Sequence, residues 1–149
     1  MNFSLSMRNS KAIDEIRTFN RFYTNIIGVV DRHILHSPYS LTAARVLFEI
    51  FHDPNCTARK IKTILQVDEG YLSHTIDKLI KQNLITRKPS RSDGRVFILS
   101  LSKKGEKEFL KINQGAEASI ESIIKHLSPD EVDEIVAIMR RIQELLTMR

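Results

Sequence analysis

Cysteine is almost absent from this 149-residue chain, and tryptophan is wholly absent. The single Cys56 rules out an internal disulfide framework and suits a reducing cytoplasm, the compartment expected for this protein. Five glycines and four prolines leave little material for a glycine-rich phosphate loop. No run approaches the ~20 uncharged apolar residues of a membrane-spanning helix, so no membrane partner is expected. The opening residues Met1 to Arg8 lack the basic-then-apolar order of a secretory signal. There is no nucleophile elbow and no convincing acid–base pair, so enzyme chemistry and a cofactor are not expected. His33, His36 and His52 could be imagined around Asp31, but nothing there has zinc-like spacing, and no metal is expected.

What is present reads as one globular domain, or two small lobes sharing a core: 42% of residues are hydrophobic and 28% charged. The charge is unevenly placed. Residues 1–53 carry 6 basic and 5 acidic side chains, residues 54–104 carry 11 and 4, and residues 105–149 carry 6 and 9. The net +5 of the chain therefore comes from its middle third, flanked by a near-neutral and an acidic end. Such a local excess is a footprint for a polyanion, although a solvated basic face looks the same.

Apolar spacing supplies the elements. Ile13, Ile16, Phe19, Phe22, Ile26, Ile27 and Val30 predict a long amphipathic helix over about 9–30, followed by a connection around Pro38. Ser40 caps a helix from Leu41 to Phe51 that buries Val46, Leu47, Ile50 and Phe51. Thr57 caps Ala58 to Leu65, with Ala58, Ile61 and Leu65 inward, and Asp68 caps Glu69 to Gln82, with Leu72, Ile76 and Leu79 inward. Asn83 stands where a left-handed residue ends that helix. These two short helices and their tight turn form a helix-turn-helix pattern, weak by itself because any helical bundle can produce it. Two strands follow, Leu84 to Lys88 and Arg95 to Leu101, around the turn cluster Pro89-Ser90-Arg91-Ser92-Asp93-Gly94. A hairpin directly after a helix-turn-helix is a wing, and Arg87, Lys88, Arg91 and Arg95 make its tip basic. Ser102 caps a helix from Lys103 to about His126. The run Ser128-Pro129-Asp130-Glu131 is a capping box with proline at the first helical position, opening a last helix to about Leu146.

The predicted fold is thus mainly α with a small β-hairpin: a winged helix-turn-helix lobe over 40–102 between long helical ends, 9–36 and 103–149. One small lobe cannot bury three long apolar stripes. The ends are expected to pack together and against a second copy, giving a two-fold homodimer, with a monomeric bundle as the bland alternative.

Several runs together resemble the MarR family of bacterial transcription regulators: Thr57-Ala58, Val67-Asp68-Glu69-Gly70-Tyr71-Leu72-Ser73, Asn83-Leu84-Ile85-Thr86-Arg87, Ser92-Asp93-Gly94-Arg95 and Leu99-Ser100-Leu101-Ser102-Lys103-Lys104-Gly105. The combined spacing of the D-x-R wing and the L-x-L-[ST]-x-x-G segment is specific where either alone is not. Residues 13–24 and Ser37-Pro38-Tyr39-Ser40-Leu41-Thr42 resemble one branch most, in which the module precedes a GNAT-type acetyltransferase domain. The 149 residues hold no acetyltransferase segment. The resemblance implies a triangular homodimer on a palindromic double-stranded DNA operator. It also implies repression, relieved by a small aromatic or amphipathic effector bound between the long helices and the winged lobe.

The residues expected at DNA follow from both readings. Gly70, Tyr71, Ser73, His74, Thr75 and Lys78 are taken as the outward face of the helix that enters the major groove. An ordinary solvent-facing helix would carry the same residue types. His74 departs from the arginine frequent in the family, which weakens any reading of guanine there; the histidine could bond a base edge or merely fill space. The resemblance implies that Arg95 reaches into the minor groove and that Asp93 orients it; a guanidinium suits that narrow, negative groove. Arg91 assists at the wing tip, Arg87 braces the wing or touches phosphate, and Thr57, Arg59 and Lys60 suit phosphate contact at a helix start. Cys56 reads as a small buried or loop thiol, since peroxide-sensing members carry their cysteine in the first helix. Two other functions stay open: a regulatory partner of a separate acetyltransferase, and a winged helix that binds protein rather than DNA.

Overall fold

The computed structural model describes the backbone of residues 3–35 and 37–148 and the side chains of 9–26, 28 and 37–148. Among the described residues, six helices and one hairpin follow in order: α1 (Phe3–Leu35), α2 (Leu41–His52), α3 (Ala58–Leu65), α4 (Glu69–Lys81), β1 (Ile85–Pro89), β2 (Phe97–Leu101), α5 (Lys103–Ile124) and α6 (Pro129–Thr147). The fold is the expected one, mainly α with a two-stranded wing.

Helix starts are set by side-chain oxygens that satisfy otherwise orphaned N–H groups. Ser40 accepts from the Ala43 N–H, Thr57 from Lys60, Asp68 from Tyr71 and Ser102 from Gly105. At α6 the box is complete: Ser128 Oγ accepts from the Glu131 N–H at 3.3 Å, and the Glu131 carboxylate accepts from the Ser128 N–H at 2.8 Å. That bond holds the Glu131 carboxyl below its ordinary range. Asn83 is left-handed as expected, with φ 59°. Gln66, at φ 51°, ends α3 the same way without the help of glycine or asparagine.

The core sits around α2. Val46, Leu47, Ile61, Leu79, Leu84 and Ile85 are almost completely enclosed, and Leu72, Ile76, Leu99 and Phe109 close over them. The hairpin is antiparallel, with Ile85 opposite Leu101 and Pro89 opposite Phe97. Two bonds anchor the wing to the helical lobe. Leu99 N–H donates to the Cys56 carbonyl at 2.8 Å, and Ser102 N–H donates to the Leu84 carbonyl at 2.9 Å. At the start of α5, a Cβ on Gly105 would stand 1.9 Å from the Leu84 carbonyl oxygen. Only glycine allows this close approach of α5 to the end of the helix-turn-helix.

Several expectations are corrected. α1 extends from Phe3 to Leu35, through residues read as a connection, because nothing before Pro38 breaks the helix. Both strands are shifted or shortened: β1 begins at Ile85, and β2 begins at Phe97 because Arg95 and Val96 still belong to the turn. α5 stops at Ile124, two residues early. Ala58 is exposed, as it lies in the first turn of α3 ahead of the packed Ile61. Phe51 is 41% exposed, packed at the edge of the lobe against Phe109 in a tilted pair, 4.5 Å away between ring centroids. Ile27, Val30, Asp31, His33 and His36 lie outside the described side chains.

Candidate nucleic-acid interface

α4 stands at the surface between two concavities. On one side a groove of about 500 Å³ runs between the first turn of α3, α4 and the wing. Thr57 and Arg59 contribute from α3, Ser73 and Asp77 from α4, and Arg87 and Arg95 from the hairpin, over a floor of Leu72, Ile76 and Leu99. On the other side a smaller hollow of about 190 Å³ is bordered by Tyr39, Tyr71, His74 and Lys78. Both concavities lie along α4. The side-chain carbonyl of Gln82, beside the smaller hollow, is buried with no hydrogen-bond partner among the described residues.

Gly70, Tyr71, Ser73, His74 and Lys78 are exposed on α4, as the helical spacing predicts. Thr75 is not. It is 8% exposed, and its hydroxyl donates to the Tyr71 carbonyl at 2.9 Å. Leu72, Thr75, Ile76 and Leu79 form an i, i+3, i+4, i+7 set, so Thr75 belongs to the packed stripe and not to the outward face. That spacing is legible in the sequence.

The wing corrects another expectation. Asp93 does not pair with the Arg95 guanidinium: its carboxylate accepts the backbone N–H of Arg95 at 2.9 Å, while the Asp93 carbonyl accepts from Val96. The aspartate therefore sets the backbone from which Arg95 springs and leaves the guanidinium without an ion pair among the described residues. Gly94 has an ordinary negative φ and open space where a Cβ would stand, so this turn does not require glycine. Arg91 is exposed beside Ser90 and Ser92, whose hydroxyls lie 3.0 Å apart.

The basic residues of α3 divide. Arg59 is exposed, faces the groove and has no ion pair among the described residues. Lys60 is engaged within its own loop, 2.7 Å from the Asp53 carboxylate and 3.0 Å from the Asn55 carbonyl. The Lys60 contact, with the Asn55 N–H, holds the Asp53 carboxyl below its ordinary range. A phosphate would have to compete with that bond for Lys60. Thr57 is half-buried, with its oxygen used as the cap of α3. Lys62, not singled out from the sequence, lies in the groove and pairs with Glu69, whose carboxyl it holds below the ordinary range. No periodicity in the sequence signals this pair, which meets across the turn between α3 and α4. Cys56 is buried as expected, and burial pushes its thiol up to about 11.

This arrangement defines a winged helix-turn-helix protein, with an outward helix flanked by a basic hairpin on the electropositive third of the chain. Residues 39–97, which span that lobe, match the family model described as MarR family. Two curated relatives are named as transcriptional regulators of the helix-turn-helix type. The regulator BilQ of Clostridium symbiosum is 27% identical over 60% of this chain and 62% of its own length. The regulator MhqR of Bacillus subtilis is 25% identical over 89% of this chain and 91% of its own. Among solved structures, a mutant of MarR from E. coli complexed with operator DNA superposes with a TM-score of 0.74 at 20% identity, over 89% of this chain and 95% of that one. The lobe is thus similar to MarR-family proteins and the chain to regulators of the helix-turn-helix type.

Proposed function

We propose that the chain is a sequence-specific, double-stranded-DNA-binding transcription regulator that acts as a homodimer on a near-palindromic operator. The observation that carries this is the groove beside α4, where Arg59, Arg87 and Arg95 stand without ion pairs among the described residues next to the exposed Ser73. Guanidiniums left unpaired at a surface are ready for phosphate, and a helix with short polar side chains fits a major groove about 12 Å wide. In this reading α4 supplies base contacts through Tyr71, Ser73 and His74. Lys78, Arg59 and Arg87 meet phosphate, and Arg91 and Arg95 follow the wing along the minor groove.

The dimer is supported by what the helical ends leave uncovered. α6 has no buried residue, and Ile135, Val136, Met139 and Ile142 lie 37–41% exposed along it. On α1, Ile13, Ile16, Phe19 and Phe22 are 47–60% exposed. A second copy covers such stripes by two-fold packing, so that 9–36 and 103–149 form the dimer region and 40–102 the DNA-binding lobe. Repression, a cytoplasmic location and relief by a small aromatic or amphipathic effector rest on the family resemblance. An effector acts by favouring a lobe spacing that does not fit DNA. Selection of bound duplexes from a random pool, repeated with candidate effectors, tests the proposal. It should return a near-palindrome with half-site centres about 10 bp, or a multiple, apart. Absence of any enriched duplex contradicts it.

A further inference from the structure

We propose that Phe97 is a positioning residue for Arg87, holding its guanidinium beside α4 with the N–H groups left available to the DNA backbone. This rests on the DNA-binding reading above. Arg87 stands opposite Leu99 in the hairpin, and Phe97 lies two residues back along β2, hence on the same face. The Arg87 guanidinium carbon sits 5.5 Å from the centre of the Phe97 ring, within the reach of a cation–π contact. Both side chains line the groove between α4 and the wing.

Two features separate this contact from ordinary packing. Phe97 is 45% exposed, at the end of the ladder opposite Pro89, which has no N–H to donate. A phenyl ring so placed contributes little to the core. Secondly, Asp77 and Glu69 line the same groove, yet neither pairs with Arg87, and no hydrogen bond among the described residues involves its guanidinium. A carboxylate partner would occupy the fork that a phosphate oxygen pair requires. A ring face holds the cation through its π-surface and leaves the in-plane N–H edge open. The side chain is thereby ordered before DNA arrives, which reduces the entropy lost on binding.

The test uses the full-length protein and an operator obtained by selection. Phe97→Leu should weaken operator binding about two- to fivefold, the size of an exposed cation–π contact. Phe97→Tyr, which keeps the ring, should bind like the parent, and melting should show both variants folded. In the double variant with Arg87→Gln, the Phe97→Leu change should cost nothing further. In the DNA-free protein, the Arg87 δ-methylene and Nε–H protons should show an upfield ring-current shift, kept in Phe97→Tyr and lost in Phe97→Leu. Additive losses in the double variant, failure of tyrosine to restore binding, or no ring-current shift would overturn the role of Phe97 while parental binding stands. Failure of the parent to bind any selected duplex would overturn the DNA-binding reading, and this inference with it.

Discussion

The winged lobe and the helical ends solve burial in opposite ways. The lobe closes its own core: α2, α3, α4, the hairpin and the first turns of α5 enclose Val46, Leu47, Ile61, Leu79 and Leu84. The ends do not. α6 is capped as well as any helix in the chain and still buries no residue. Good capping starts a helix, but an apolar stripe needs a facing surface to hold it in a fold. The lobe therefore owes its stability to contacts within one chain, whereas in the proposed dimer the ends would be held by a second copy.

The largest expected effect sharpens that contrast. Leu47→Ala in the lobe removes a fully enclosed side chain and should cost about 2–5 kcal/mol, read as a lower denaturant midpoint. In α6, Met139→Ala should cost far less within one subunit. Paired acidic substitutions, Val136→Asp with Met139→Asp, should halve the mass seen by light scattering and leave the lobe folded. Loss of all cooperative melting in that pair would mean that the lobe also depends on the partner.

Next in size are the wing arginines. Arg95→Ala should lower operator affinity by about 1–3 kcal/mol with little change in melting temperature, because an exposed charge contributes little to stability. Asp93→Ala should cost less than that. Asp93→Asn should bind like the parent, since an amide oxygen can also accept the Arg95 N–H. A loss in Asp93→Asn equal to that of Arg95→Ala would mean that the carboxylate charge itself acts on the guanidinium.

A smaller effect concerns Cys56. Its thiol is raised to about 11 from an ordinary 9.0, mainly by burial. The native protein should resist iodoacetamide at pH 8, where the denatured chain reacts. The sign for stability follows: the folded state holds the proton more tightly, so the contribution is complete below about pH 9 and is lost as pH rises toward 11. Rapid native alkylation at pH 8 would show that the loop before α3 opens.

Much of this was legible in the sequence, for identifiable reasons. The caps Ser40, Thr57, Asp68, Ser102 and Ser128 were readable because each acts locally, through a side chain and an N–H three residues on. Asn83 was readable because few residues accept a left-handed backbone. What escaped depends on contacts across the fold. The loop bond that occupies Lys60, the pairing of Lys62 with Glu69 and the ring under Arg87 join residues whose proximity no periodicity reveals. Thr75 was misplaced for another reason: its hydroxyl suggested a contact, although its spacing from Leu72 and Leu79 placed it inside.

The most direct measurement is the salt dependence of operator affinity, taken for the parent and for Arg95→Ala by fluorescence anisotropy. If α4 and the wing neutralise phosphates, log K should fall linearly with log salt, with a slope of about −0.9 per phosphate contacted. Arg95→Ala should bind more weakly throughout, with an equal or shallower slope. Affinity that ignores salt, or an Arg95→Ala protein indistinguishable from the parent, would contradict a DNA interface built from α4 and the basic wing.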